Sequence, residues 1–352
     1  MVRRWTFSST LFAAALCGAL LSTGVAQAET VPATTPAAPT AAGTPTSGSM
    51  RLVVQHAHGS PPFALLGERI VVRGIVVPYV SGEKVVLSIY RKGQHVLSRR
   101  LGVSDVGNGA GQFHFAYSSP HSGLVTVRAE HAATVQLDAF SAKQVSVRYK
   151  TSAFGIGARD TAVRLLQEEL AGLRYAVPVS GYFDEATARA VLAFRKLTSL
   201  QRVEGGVNSR IFQLLQRGAG SFHVRYPGDG NHVEADLTKQ VLVEIERGGR
   251  VRRIYTMSSG KPSTPTVIGR FRVYSKEPGT NSHGMVDSSY FIRGYAIHGY
   301  AEVPPYAASH GCLRIPVPDA AAVFGWIQAG YPVDVYNDDG GGSRRVRSNA
   351  GP

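Results

Sequence analysis

Two short stretches concentrate the reactive groups of this sequence. They are Ala296-Ile297-His298-Gly299 and, after a proline-bearing loop, Ser309-His310-Gly311-Cys312-Leu313-Arg314. A thiol attacks a carbonyl as its thiolate, and an unperturbed pKa of about 8.5 leaves little thiolate at neutral pH. A proton acceptor is therefore needed. His298 and His310 are the candidates, and Arg314 adds positive charge that favours the thiolate. Gly299 and Gly311 let the backbone approach a substrate closely, and N–H groups there can form an oxyanion hole. The residue types alone leave three readings open. One is thiol catalysis, one is a zinc site drawn from His298, His310 and Cys312 with His283, and one is a packed thiol without function. Inactivation by iodoacetamide combined with indifference to chelators separates the first from the second.

Cysteine usage sharpens the question, because the chain has two cysteines, Cys17 and Cys312. Arg3 and Arg4, the apolar run from Leu11 to Leu21 and Ala26-Gln27-Ala28 read as a secretory signal over residues 1–28. A membrane anchor is the alternative, but it needs roughly 20 apolar residues. Leu16 stands where a lipoprotein signal carries a small residue, so Cys17 is not read as a lipidation site. Cleavage would leave Cys312 as the lone thiol of an exported chain. Such a thiol is a bystander, a dimer bridge or a reactive group, and an internal disulfide is excluded. Removing Arg3 and Arg4 lowers the formal charge from +14 to +12. That charge favours polyanions, and for an exported chain these are anionic wall polymers rather than nucleic acid.

The reactive stretches need a scaffold, and 352 residues imply two or three domains. A 43% hydrophobic content excludes wholesale disorder, and 39 glycines with 19 prolines point to a turn-rich, mainly β protein. Residues 29–50 are almost all Ala, Pro, Thr, Gly and Ser and read as a disordered linker. Residues 51–150 alternate as strands do: Ile70 to Val72, Val85 to Leu87, Phe113, Phe115 and Tyr117, Val125 and Val127, Val145 and Val147. Gly82, the Gly107–Gly111 cluster and Gly123 break the runs, which predicts about seven short strands in a sandwich. The pattern is similar to the immunoglobulin-like spacer domains of wall-associated bacterial proteins. His56, His58, His114, His121 and His131 lack metal-ligand spacing and read as solvent-facing or turn residues.

The period changes over residues 157–217. Val163, Leu166 and Leu170, then Ala190, Val191 and Phe194, fall at helical intervals, with Asp160, Thr161 and Asp184 as cap candidates. From residue 222 to 337 the chain is again strand-rich. Gln240–Ile245 and Val251–Met257 flank Gly248-Gly249 as a hairpin, and Gly260, Pro262, Pro265 and Gly269 punctuate a loop before Phe271. One helix is expected over Pro318–Gln328, opened by Asp319, and residues 338–352 read as a disordered tail.

Specific resemblances then enter. Val163-Arg164-Leu165-Leu166-Gln167, Gly181-Tyr182-Phe183-Asp184 and Ala186 through Phe194 resemble the three-helix peptidoglycan-binding domain. Arg195 stands where that family usually has glutamine, and Asn208-Ser209-Arg210 replaces its second turn motif. Ser309 through Arg314, downstream of Ile297-His298-Gly299, resembles the signature of the L,D-transpeptidase catalytic domain. Ala235 through Gln240, Ser259 through Thr266 and Gly269 through Tyr274 extend the match in order. The resemblance implies Cys312 as nucleophile, His298 as general base, the Gly299 carbonyl as the group orienting His298, and Ser309, His310 and Gly311 as the turn and oxyanion region. It also implies that Arg314 meets a substrate carboxylate. Tyr295, Tyr300 and Met285 either line the groove or pack in the core. The loop from Tyr300 to Ala308 departs from the family's frequent threonine or serine after His-Gly.

The fold expected is multidomain and mainly β: an immunoglobulin-like sandwich, a small helical peptidoglycan-binding domain and a β-rich catalytic domain. The function expected is an exported cysteine acyltransferase of peptidoglycan stems, monomeric and needing no metal or organic cofactor. A stem-peptide hydrolase and a non-catalytic wall-binding protein are the alternatives. Carbapenem acylation is also expected from the resemblance.

Overall fold

The computed structural model describes residues 44–200 and 206–338. The expected signal segment, residues 29–43 of the expected linker and the tail from residue 339 lie outside the described residues. The N-terminal part of the fold is built from ten strands: β1 (Ser49–Gln55), β2 (Phe63–Leu65), β3 (Ile70–Val77), β4 (Lys84–Arg91), β5 (Gln94–Gly102), β6 (Ser104–Gly107), β7 (Ala110–Tyr117), β8 (Gly123–His131), β9 (Phe140–Ser141) and β10 (Val145–Lys150). They form two sheets, ordered β1-β3-β7-β6 and β2-β10-β8-β4-β5, with β9 paired to β8. Leu52, Ile70 and Val72 of the first share one apolar core with Leu87, Val125, Val127 and Val147 of the second. Alternation creates that core: every second residue of β3 is buried, Ile70, Val72, Gly74 and Val76. The strand count exceeds the seven expected, because short pieces such as β2, β6 and β9 carry too few residues to show a period. Chain order also begins earlier than expected, since β1 starts at Ser49 inside the segment read as linker.

Three helices follow, α1 (Thr161–Gly172), α2 (Glu185–Leu197) and α3 (Ser209–Gln216). Asp160 caps α1 by accepting from the Ala162 N–H at 2.8 Å, Asp184 caps α2 through the Thr187 N–H at 2.8 Å, and Asn208 caps α3. Gln167 explains its own place in the helical motif. Fully buried, it accepts from the N–H groups of Ser180 and Gly181 at 2.9 and 2.7 Å and donates to Tyr182 O at 2.8 Å. One side chain thus ties α1 to the turn before α2, where Gly181 has a positive φ of 76°.

The C-terminal part contains β11 (His232–Asp236), β12 (Val241–Glu246), β13 (Arg250–Thr256), β14 (Gly269–Arg272), β15 (Ser275–Thr280), β16 (Val286–Ile292), β17 (Tyr295–Tyr300), β18 (Leu313–Pro316), helix α4 (Val317–Trp326) and β19 (Pro332–Tyr336). They form a five-stranded sheet, β13-β12-β11-β19-β14, and a four-stranded one, β15-β16-β17-β18. Val233, Val335 and Phe271 of the former meet Ile297, Leu313 and Ile315 of the latter, with Ala320 and Val323 of α4, in one core. Asp319 does not cap α4 as expected; Pro316 occupies that position without a side-chain hydrogen bond, and the Asp319 carboxylate pairs with Arg189. No helix among the described residues is long and apolar enough to cross a membrane.

Candidate active site

Strand register decides which side chains meet. β17 and β18 run parallel, with Ile297 opposite Leu313, His298 opposite Arg314 and Gly299 opposite Ile315. Side chains alternate across a strand, so Ile297, Leu313 and Ile315 enter the core beside α4. Gly299 shares that face because α4 comes close; a Cβ there would sit 2.6 Å from the Ala320 Cβ. The other face therefore carries Ala296, His298, Tyr300 and Arg314. Their contacts agree with this: the His298 and Tyr300 rings lie edge to face at 5.7 Å, and the Arg314 guanidinium stands 3.9 Å from the Tyr300 ring centre.

Cys312 precedes β18 by one residue and Arg314 by two, which directs it to the same face, with Ala296 beside it. His298 and Cys312 are then diagonal neighbours across one parallel ladder. No hydrogen bond joins them among the described residues. The thiol instead lies 3.8 Å from Gly294 O. His298 is 1% exposed, and its Nδ1 donates to Gly299 O at 2.9 Å. A carbonyl can only accept, so Nδ1 carries the proton and Nε2 holds the lone pair of the neutral ring.

Burial dominates the electrostatics. It pushes the Cys312 thiol above its ordinary range, against the opposing pull of the Ala296 N–H and the Arg314 charge. It pushes His298 below its ordinary value, and Arg314 adds to that shift while the Gly299 carbonyl opposes it. Both directions favour a neutral thiol beside a neutral imidazole at rest. The positive charge of Arg314, read from the sequence as a thiolate stabiliser, is thus outweighed by desolvation of the sulfur.

The turn that presents Cys312 is tied from three sides. Ser309 Oγ donates to Cys312 O at 2.6 Å and accepts the Gly311 N–H at 3.0 Å. Thr266 Oγ1 donates to Gly311 O at 2.8 Å, and Thr264 Oγ1 to Ser309 O at 3.1 Å. Gly311 has φ of 124°, and the Tyr295 ring fills the place of its missing Cβ. One expectation changes here: the Gly311 N–H is occupied by Ser309 and is not a free oxyanion donor. Of the two readings kept for Tyr295, its contact under the Gly311 turn favours packing. His310 is exposed, and its Nε2 lies 3.2 Å from Lys261 Nζ. His283 is exposed in the loop before β16, where Asn281 Oδ1 accepts the N–H groups of His283 and Met285. No group of three His, Cys, Asp or Glu side chains placed to hold a metal occurs among the described residues. Met285 is half-buried, and a Cβ on its neighbour Gly284 would lie 3.7 Å from the Tyr300 ring, which brings this loop alongside the site.

Thr264, Thr266 and Ser258 were not singled out from the sequence as site residues. Their roles depend on strands meeting across the fold: Ser258 exchanges both backbone hydrogen bonds with Arg314 at 2.9 Å. A cleft of about 250 Å³ opens beside Tyr300, between Arg189 and Leu192 of α2 and Pro316–Pro318. A larger one of about 360 Å³ lies between residues 58–63 and α1, and neither cleft is lined by Cys312 or His298.

Comparison with known proteins adds the following. Residues 230–335 match the family of the L,D-transpeptidase catalytic domain, and residues 159–215 match that of a peptidoglycan binding domain. L,D-transpeptidase 1 of Mycobacterium tuberculosis is 32% identical over 117 residues, which covers 26% of this chain and 45% of that protein. The chain thus spans about half the length of the curated relatives it matches. The crystal structure of an L,D-transpeptidase fragment from Xylanimonas cellulosilytica is 31% identical, with a TM-score of 0.48, covering 53% of this chain and 98% of that one. An L,D-transpeptidase solved in complex with imipenem is 14% identical, with a TM-score of 0.26, covering 81% of this chain and 99% of that one.

Proposed function

With an L,D-transpeptidase catalytic domain over residues 230–335 and a peptidoglycan-binding domain over residues 159–215, we propose that the chain is an exported enzyme that acylates Cys312 with a peptidoglycan stem peptide. The arrangement proposed is a signal over residues 1–28, a linker, an immunoglobulin-like spacer to residue 150, a glycan-anchoring module over 157–217 and a catalytic domain over 222–337, acting as a monomer. The observation that carries the reading is the shared, non-core face of β17 and β18. There Gly299 O holds the His298 imidazole at Nδ1 and leaves Nε2 as the ring's basic nitrogen, on the strand beside the one that Cys312 leads into.

In the first step, the Cys312 sulfur attacks the carbonyl carbon of the third residue of a tetrapeptide stem while its proton passes to His298 Nε2. With the Gly311 N–H engaged, the N–H of Cys312 is the turn donor assigned to the developing oxyanion. The imidazolium returns its proton to the nitrogen of the departing D-alanine, and a thioester remains. An amine then attacks the thioester carbonyl, its proton reaches Cys312 Sγ through His298, and the thiol is restored. If the amine is the side chain of another stem's third residue, the product is a cross-link; if water attacks, it is a trimmed stem. Arg314, held against Tyr300, is the residue proposed to meet a substrate carboxylate. Binding of the helical module to the polymer raises the local concentration of stems.

Incubation of the purified protein with tetrapeptide-bearing muropeptides, followed by mass spectrometry, tests the reading. Cross-linked dimers support transfer, trimmed monomers support hydrolysis, and unchanged substrate supports wall binding alone. A carbapenem is expected to leave one covalent adduct on the wild type and none on Cys312→Ala; an adduct of equal yield on the variant refutes Cys312 as the nucleophile.

A further inference from the structure

The apolar core of the helices does not close on itself. Leu166, Phe194 and Ile211 share one cluster with Val243, Ile245 and Ile254 of the catalytic sheet. The α1–α2 connection also runs along the outer edge of β13. There the Ala176 N–H donates to Ile254 O at 3.0 Å and the Ile254 N–H donates to Arg174 O at 2.9 Å.

Within this seam lies Lys196, in the last turn of α2 and 6% exposed. Its Nζ donates to Thr256 Oγ1 at 2.7 Å, Met257 O at 2.8 Å and Gln240 O at 3.1 Å. All three partners are uncharged, and burial pulls the amine's pKa down to about 7. Desolvating an amine is costly, and an apolar side chain of similar length would fill an apolar seam without that cost. The three oxygens suggest what the amine does there.

They sit at the start of the segment on which the nucleophile turn is assembled. Ser258, next to Met257, makes both backbone hydrogen bonds to Arg314; Ser259 O accepts the N–H groups of Ala308 and Ser309 at 2.8 and 2.9 Å; the Lys261 N–H donates to Ser309 O at 2.9 Å. Gln240, whose carbonyl binds Lys196, also holds Ser259 through its side chain, accepting the Ser259 N–H at 2.8 Å and donating to Ser259 Oγ at 2.7 Å. The segment from Met257 to Lys261 is therefore a rail flanking Cys312, and Lys196 clamps its first residue from another part of the chain.

We propose that Lys196 of the helical module is a positioning residue for Cys312, so that the module is a structural part of the catalytic unit as well as an anchor. This rests on the reading of Cys312 as nucleophile, but one arm of its test does not. In the full-length protein, Lys196→Met is expected to slow carbapenem acylation of Cys312 about tenfold, the scale at which small displacements of reacting groups act. Lys196→Gln, which keeps two N–H donors, should recover part of the loss. The loosened turn should also expose the sulfur and raise the rate of iodoacetamide alkylation about threefold. Alkylation requires no transpeptidase activity, so it decides the matter even if the wild type proves not to be acylated. Should Lys196→Met not fold, Thr256→Val keeps the amine and removes one acceptor, with about a threefold change expected in both rates. Wild-type rates of acylation and alkylation in the folded variants, with only the melting temperature lowered, would reduce Lys196 to a packing residue and overturn the proposal.

Discussion

The two-sheet region at the N-terminal side of the described fold and the sheet β15–β18 each bury a histidine almost completely, and the two rings are held differently. His131, 3% exposed, stacks on Phe140 at 4.6 Å between ring centres and engages both nitrogens, Nε2 with Glu83 Oε2 at 2.9 Å and Nδ1 with Asp138 O at 3.3 Å. His298, 1% exposed, engages Nδ1 with a backbone carbonyl and makes no hydrogen bond at Nε2 among the described residues. A carboxylate on the second nitrogen fixes a ring as structure, whereas a carbonyl on the first selects a tautomer and leaves the second nitrogen basic. Burial alone does not separate the histidine proposed as base from a structural one. The difference lies in which nitrogen is left without a partner.

The contrast breaks most visibly at His298. His298→Gln is expected to lower the rate of single-turnover Cys312 acylation by about 10²–10⁴, the usual contribution of a general base; mass spectrometry of the adduct against time measures it, and a loss below tenfold would place the base elsewhere. His131→Ala should do the reverse. It leaves Glu83 without its ring partner and is expected to cost about 1–3 kcal/mol in urea unfolding, with the acylation rate unchanged. A fall in acylation for the folded variant would mean the two regions are coupled.

The smallest effect is a displacement on the pH axis. Protonated His298 cannot accept the thiol proton, and its pKa lies below the ordinary 6.5. The acid limb of kcat/KM should therefore fall below pH 6.5, with activity retained on the neutral side. Iodoacetamide captures the thiolate, and burial raises the thiol's pKa above its ordinary value, so alkylation of Cys312 should still be climbing at pH 9. An alkylation rate already level at pH 7 would instead indicate a preformed thiolate–imidazolium pair.

The helices were legible because their signals are local. Asp160 and Asp184 precede periodic apolar residues and serve as caps, and Gly248-Gly249 turns the hairpin between β12 and β13 with both φ values positive. Asp319 was misread as a cap because its partner, Arg189, is 130 residues away. His131 was misread as a turn or solvent-facing residue for the same reason, since Glu83 lies 48 residues before it. Alternation is plain in β3 but absent from β17, where four successive residues from Ala296 to Gly299 are buried. One face of β17 meets the core and the other is covered at the site, so the period that marks a half-exposed strand disappears.

By itself the sequence determined the candidate reactive set, a cysteine and a histidine each followed or preceded by glycine, because residue types and short spacings do not depend on folding. It also determined where helices begin and where chains turn. The tertiary structure alone decided that burial raises the thiol's pKa and lowers the imidazole's, that Ser309 occupies the Gly311 N–H, and that Lys196 reaches the rail beside Cys312. Protonation depends on desolvation, and desolvation is a property of everything packed around an atom, most of which is remote in the chain.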